Sequence, residues 1–137
     1  MEGKVVIGWR EKIELPDFGI HLKAKIDTGA KSSSLDVSEI QRDGERVSFK
    51  VHVSRKKESI LDARMPIHRI TNVKSSNGKS QERYVVLMQM LMGGVQKEIE
   101  VTLTCRKNML HRMLLGREAL RNDFLIDAGL NHLTSIL

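Results

Sequence analysis

The feature of this sequence that most limits its fold is a period-two alternation of apolar and polar residues. Residues 19–26, 46–53 and 97–103 alternate, and residues 82–92 form a long run of β-branched residues and methionines. Such segments are typical of strands that bury one face. The chain is therefore predicted to be mostly β-structure.

Turn signals separate these segments. They are Pro16-Asp17 with Gly19, Asp43-Gly44, Asn77-Gly78 and Gly93-Gly94. Asp-Gly and Asn-Gly favour hairpins because glycine tolerates positive φ. Residues 117–122, after Leu115-Gly116, are predicted to form a short helix, residues 124–126 a last strand, and residues 133–137 an edge strand or a frayed tail. These patterns predict one all-β domain over residues 1–137, barrel-like, with a single short helix near the C-terminus.

The compartment is suggested by the cysteine content and the N-terminus. The 137 residues suit one domain, and the single cysteine, Cys105, cannot form an internal disulfide. This composition fits a reducing compartment. The apolar stretch at residues 5–7 is too short for the core of a signal peptide, and no segment approaches a membrane span. We expect a soluble, cytoplasmic protein without a membrane partner.

The net charge of +6 favours anionic partners, which include nucleic acids, phosphates and acidic peptides. Aromatic residues make up only 4% of the chain, so stacking platforms for single-stranded nucleic acid are scarce. The basic residues are also dispersed along the sequence. Binding of nucleic acid is therefore the less favoured of these interpretations.

The sequence gives little support for a metal site, a catalytic serine or a phosphate-binding loop. No two of the five histidines have a zinc-ligand spacing, and there is no His-Glu-x-x-His helix. Ser32-Ser33-Ser34 lacks the glycine frame of a nucleophile elbow. Gly93-Gly94 is too short for a phosphate loop and is not followed by Lys-Ser or Lys-Thr. The sequence predicts no metal and no cofactor.

One short motif stands apart from the generic strand pattern. Asp27-Thr28-Gly29 closes an apolar strand and is followed by small residues. Far downstream, two large apolar residues precede Gly116 and Arg117, which opens the predicted helix. The aspartate has two possible roles at this stage. It either forms a tight turn or is a catalytic carboxylate held on a loop.

These paired motifs resemble the retropepsin-fold aspartic proteases. The closest resemblance is to the bacterial branch named ATP-dependent zinc proteases, which often accompany an ATP-grasp ligase that adds glutamates to a ribosomal protein. The resemblance covers about residues 5–127 and implies a closed β-barrel. The matching motifs are Ile26-Asp27-Thr28-Gly29-Ala30-Lys31, Ser75-Ser76-Asn77-Gly78, Glu82-Arg83, Leu103-Thr104-Cys105-Arg106 and Leu114-Leu115-Gly116-Arg117-Glu118-Ala119-Leu120.

The resemblance also implies roles for individual residues, with residues 74–81 as a flap. The implied catalytic residues are Asp27, Thr28 and Gly29. The implied substrate-binding residues are Ala30, Lys31, Lys74, Asn77, Gly78, Lys79 and Arg83. The implied structural residues are Leu115, Gly116 and Arg117.

Aspartic-protease chemistry needs two carboxylates that share a proton, and this chain has one Asp-Thr-Gly. A two-fold partner would supply the second, so a homodimer is expected. The cations around the loop and flap suggest an acidic peptide substrate, and a glutamate-rich peptide is one such substrate. Two alternatives remain open: a non-catalytic peptide-binding module with this fold, and a basic nucleic-acid-binding domain.

The sequence departs from the family pattern in three respects. Lys31 stands where viral retropepsins carry an acid, so Arg117 loses the partner that the resemblance implies. The flap is polar, which argues against a hydrophobic peptide. The zinc and ATP of the family name have no ligand set or nucleotide loop in this sequence.

Overall fold

The computed structural model describes residues 3–53, 59–74, 77–105 and 111–132. The order of elements is β1 (Val5–Ile7), β2 (Arg10–Leu15), β3 (Ile20–Ile26), β4 (Ser33–Asp43), β5 (Arg46–His52), β6 (Ile60–Pro66), β7 (Arg69–Lys74), β8 (Ser80–Met92), β9 (Val95–Thr104), β10 (Met113–Leu115), α1 (Arg117–Leu120), β11 (Phe124–Ile126) and β12 (Asn131–His132).

Six of these strands close into a barrel. Their order is β10, β3, β2, β8, β9 and β4, and β10 pairs with β4 to complete the circle. Strands β5 and β6 extend the sheet beyond β4, β7 pairs with β8, and β12 pairs with β2. The all-β barrel with one short helix is confirmed.

The barrel core consists of the apolar residues of alternating strands. In β2 and β3 every second residue is buried, including Ile13, Leu15, Leu22 and Ala24. The methionines of β8 alternate in the same way, and Met88, Met90 and Met92 are each at most 1% exposed. Because successive strand residues point to opposite faces, this pattern buries one face and leaves the other in solvent.

The strands predicted from alternation are present with small shifts at their ends. They correspond to β3, β5, β8 and β9, and the predicted last strand is β11. The predicted helix ends two residues early, at Leu120. Arg121 has an extended backbone with ψ of 149°, and Asn122 adopts a positive φ of 74°, so the helix cannot continue. Residues 133–137 lie outside the described residues.

Within the described ranges, no helix is both long and apolar enough to cross a membrane.

Candidate active site

Asp27 follows directly after the last residue of β3. Its backbone N–H donates to the carbonyl of Leu115 at 2.9 Å. Its side-chain Oδ1 accepts the N–H of Gly29 at 3.0 Å, and its carbonyl accepts the N–H of Ala30 at 3.2 Å. The Asp27 residue is partly buried, whereas Thr28 and Gly29 are exposed. The turn therefore fixes a carboxylate at the surface of the barrel end.

The loop that carries Asp27 is shaped by a strand that comes much later in the chain. Strand β10 lies between β3 and β4, parallel to β3 and antiparallel to β4. Met113 pairs with both Ala24 and Leu35. Two consecutive strands with a third strand between them form a ψ loop, so residues 27–32 must pass across the end of β10.

Gly116 lies where this loop passes closest to β10. A Cβ atom at this position would be 2.5 Å from the carbonyl oxygen of Ser32 and 2.8 Å from that of Ala30. The Gly116 N–H donates to Ser33 Oγ at 3.1 Å. Glycine is required here because any side chain would collide with backbone atoms that cannot rotate away.

Arg117 binds the same loop twice. Its backbone N–H donates to the carbonyl of Ala30 at 2.8 Å, and its guanidinium Nη1 donates to the carbonyl of Thr28 at 3.0 Å. The next residue, Glu118, donates its N–H to the carbonyl of Lys31 at 3.0 Å. Lys31 replaces the acid that the resemblance implies as the partner of Arg117. The Arg117 side chain instead binds the Thr28 carbonyl of its own chain. These contacts hold the Asp27 loop against β10 and α1, and the structural role that the resemblance implies for Leu115, Gly116 and Arg117 stays a prediction.

The predicted flap is a hairpin of β7 and β8. These strands pair from Arg69 opposite Val85 to Lys74 opposite Ser80. In the connecting turn Gly78 has a φ of +82°, which favours glycine. Residues 75 and 76 lie outside the described residues. A groove of about 470 Å³ is lined by Val73, Lys74, Asn77, Lys79, Ser80, Gln81 and Arg83.

The structure brings some predicted substrate-binding residues together and separates others. Four of them, Lys74, Asn77, Lys79 and Arg83, line the flap groove. Lys31 instead lines a separate hollow of about 150 Å³, together with Arg69, Glu100 and Glu118 among others. Asp27 lines neither of these two cavities.

A second Asp-x-Gly turn occurs at Asp127-Ala128-Gly129. The N–H of Gly129 donates to Asp127 Oδ1 at 2.9 Å, and the N–H of Leu130 donates to the Asp127 carbonyl at 3.0 Å. The Asp127 N–H donates to the carbonyl of Ile7 at 2.8 Å. These three bonds are the counterparts of the three bonds at Asp27.

The parallel strand and the close glycine that support the Asp27 turn also recur at the second turn. Strand β1 pairs in parallel with β11, as β10 pairs with β3, and Ile7 lies opposite Ile126. A Cβ atom on Gly8 would collide with the carbonyl of Leu130, which accepts the N–H of Trp9 at 2.9 Å. The repeated tetrapeptide Ile-Asp-x-Gly, at residues 26–29 and 126–129, is the signal in the sequence that predicts this second turn.

The two turns are linked through Trp9. Its carbonyl accepts the N–H of Ile26 at 2.8 Å, directly before Asp27. The Trp9 ring contacts His111 edge-on, with ring centres 6.4 Å apart. His111 is 8% exposed, and its pKa is lowered by burial and then by the positive charges of Arg10, Lys25 and Lys23. Among the described residues, no group of three His, Cys, Asp or Glu side chains is placed to hold a metal ion.

The closed β-barrel, with Asp-Thr-Gly directly after a strand and Gly-Arg at the start of the helix, agrees with the retropepsin fold that the sequence motifs resemble. Residues 6–135 match the RimB-like family, described as retropepsin-like aspartic endopeptidase RimB, and the chain belongs to this family.

The chain is also similar to part of longer curated proteins. The chain is 39% identical over 132 residues to a probable alpha-L-glutamate ligase of Shewanella pealeana, covering 92% of this chain and 29% of that protein. A protein of the same name from Parasynechococcus marenigrum is 38% identical over 138 residues, covering 96% of this chain and 30% of that protein. The chain thus spans less than a third of these curated relatives.

A solved structure shares the whole fold. It is the crystal structure of Lpg0085, a protein with unknown function (DUF785) from Legionella pneumophila. The TM-score is 0.78 with 31% sequence identity, over 96% of this chain and 98% of the other.

Proposed function

We propose that this protein is an aspartic peptidase of retropepsin type that acts as a homodimer on an acidic, glutamate-rich peptide. The observation that carries the proposal is the position of Asp27. Its carboxylate lies at the barrel end on a loop held by Leu115, Gly116 and Arg117. Within the described ranges it has no ion-pair partner, so its charge is available to share a proton with a second carboxylate.

The reaction needs one carboxylate as a base toward water and another as an acid toward the peptide carbonyl. Asp27 of a second copy would supply the other carboxylate across a two-fold axis. Two carboxylates this close titrate as a unit, because both cannot carry a full charge. The N–H of Gly29 donates to Asp27 Oδ1, and this bond supports the proposal because it restrains the rotation of the carboxylate.

The substrate class is inferred from the charges of the flap groove. Lys74, Lys79 and Arg83 line it, and charge-assisted hydrogen bonds to carboxylates are stronger than those between neutral groups. The curated relatives, in which this chain corresponds to less than a third of the length, are named glutamate ligases. A peptidase beside such a ligase would act on chains rich in glutamate.

The test uses mixtures of wild-type chains with Asp27→Asn chains. If each site needs two carboxylates, random pairing of equal amounts leaves about a quarter of the dimers active. Hydrolysis of a glutamate-rich peptide is measured against the fraction of variant chains, after unfolding and refolding the mixture. A linear fall to one half would show that each chain works alone. Peptide binding without any hydrolysis by the wild type would show a non-catalytic binding module.

A further inference from the structure

The outer face of the β2–β3 hairpin carries two pairs of like charges. In the antiparallel register Arg10 lies opposite Lys25, and Lys12 lies opposite Lys23. The intervening residues of both strands are buried, so these four side chains point to the outer face. We call them the basic face. Like charges directly opposite each other destabilise a sheet, so this arrangement costs stability that a bound anion would offset.

The four cations are not paired with acidic side chains among the described residues. None of them forms an ion pair with an acidic side chain in the part of the chain that the structure describes. The next pair along the same hairpin is different, since His21 Nε2 lies 3.4 Å from Glu14 Oε1. The charge imbalance is therefore confined to one end of the hairpin, the end nearest Asp27.

The Arg10 side chain packs on Trp9, but one of its nitrogen donors has no hydrogen-bond partner among the described residues. Its guanidinium carbon lies 4.4 Å from the centre of the Trp9 ring. Its Nε atom is buried and has no hydrogen-bond partner among the described residues. A buried donor without a partner carries a desolvation cost, and no acidic side chain of the described residues offsets it.

We propose that the basic face binds an extended acidic peptide, at a site separate from the flap groove. Outward-pointing residues of a strand repeat about every 7 Å, and alternate side chains of an extended peptide have the same spacing. Glutamates of such a peptide therefore match the step from Arg10 to Lys12 and from Lys23 to Lys25. The face ends two residues before Asp27, so a long acidic chain can follow it toward the catalytic loop.

The choice of a peptide over nucleic acid follows from the surroundings of the face. Single-stranded nucleic acid is held by aromatic side chains on which its bases stack. Trp9, the one tryptophan of the chain, has one ring face covered by Arg10 and makes a T-shaped contact with His111. None of the four residues of the basic face is aromatic, so the face offers charge but no stacking platform of its own. The substrate class in this inference rests on the proposed function.

Binding is tested in the Asp27→Asn variant, so that no peptide is hydrolysed. Hexaglutamate is titrated while the fluorescence of Trp9 is followed, because Arg10 moves relative to that ring when it binds a carboxylate. Lys12→Gln with Lys23→Gln should weaken binding about tenfold, since each exposed ion pair contributes up to about 1 kcal/mol. The matched control is Arg42→Gln with Arg46→Gln on β4 and β5, which removes the same charge and should change binding at most about twofold. A melting temperature at or above that of the parent shows that the first double variant folds.

His111 provides a second measurement. Burial and the three cations Arg10, Lys25 and Lys23 lower its pKa. Carboxylates bound to those cations would weaken their effect, so hexaglutamate should raise the pKa of His111 in an NMR titration. Hexaglutamine should leave it unchanged.

Two results would overturn the inference. Equal hexaglutamate affinity in the parent and in the Lys12, Lys23 double variant would place the acidic peptide elsewhere. Tighter binding of a single-stranded oligonucleotide with the same charge would identify the face as a nucleic-acid site. Wild-type protein that binds hexaglutamate here but never hydrolyses a peptide would refute the proposed function alone.

Discussion

The turns at Asp27 and Asp127 have the same hydrogen bonds but different surroundings. In both, Oδ1 of the aspartate accepts the N–H of the glycine two residues later, and its own N–H binds a parallel strand. The first is partly buried and is followed by Thr28, whereas the second is exposed and is followed by Ala128. The comparison teaches that an Asp-x-Gly turn is a structural device in this fold, and that its chemistry depends on what surrounds it.

The supports of the two turns differ in one further respect. After Gly116 the chain enters α1, and Arg117 binds the Thr28 carbonyl with its side chain. After Gly8 the chain enters β2, and Trp9 binds the second loop through its backbone N–H, with no side-chain hydrogen bond to that loop among the described residues. Asp127 therefore serves as an internal control, because it forms the same turn without counterparts of Thr28 and of the Arg117 side-chain contact.

The largest expected effect is a difference in the rate of peptide hydrolysis between Asp27→Asn and Asp127→Asn. Asp27→Asn should lower the rate of peptide hydrolysis by at least about a thousandfold, because an amide cannot act as a base. Asp127→Asn should retain the rate within about twofold. Both variants should keep their stability within about 1 kcal/mol, since the amide oxygen still accepts the glycine N–H. Hydrolysis rates and melting temperatures are measured together.

Two outcomes would show that the comparison is wrong. Unchanged activity in both variants would mean that Asp27 is also only a turn former. An equal loss in both would mean that the second turn belongs to the catalytic machinery.

The next effect concerns the glycines that support the turns. Gly116→Ala and Gly8→Ala should each destabilise the protein by about 3 kcal/mol, because the new Cβ would collide with backbone carbonyls. Gly129→Ala is the milder control, with its Cβ 3.3 Å from Asp127 Oδ1, and should cost less than about 1 kcal/mol. Urea unfolding measures all three. A much smaller cost at Gly8 than at Gly116 would show that the two supports are not equivalent.

The smallest expected effect is a dependence of stability on pH, which arises from His111 beside Trp9. Burial and nearby cations lower the pKa of His111, whose ordinary value is 6.5. The unfolded chain then binds a proton more readily than the folded one, so this stability is complete above pH 6.5 and is lost as pH falls through the lower folded pKa. His111→Gln should flatten the decline in the free energy of unfolding on acidification. Parallel curves for the variant and the wild type would contradict this account.

The sequence predicted three of the six barrel strands, β3, β8 and β9, for a clear physical reason. A strand with one buried face records that burial as alternation, which is why β3, β5 and β9 were predicted nearly to their ends. Strand β4 was missed because Leu35, Asp36 and Val37 are all buried, and a register shift between Ser38 and Gln41 interrupts its pairing. Buried neighbours and bulges remove the period-two signal.

By itself, the sequence determined β3, β5, β8, β9 and β11, the hairpin turns and the Asp-Thr-Gly and Leu-Gly-Arg motifs, because these depend on local backbone preference and one-sided burial. Only the tertiary structure decided that β10 lies between β3 and β4, and that Gly116 meets the carbonyl of Ser32. Only the tertiary structure separated Lys31 from the flap groove and made the two Asp-x-Gly turns equivalent. These features arise from contacts between residues far apart in the chain, which are set by the packing of whole strands and not by any local pattern.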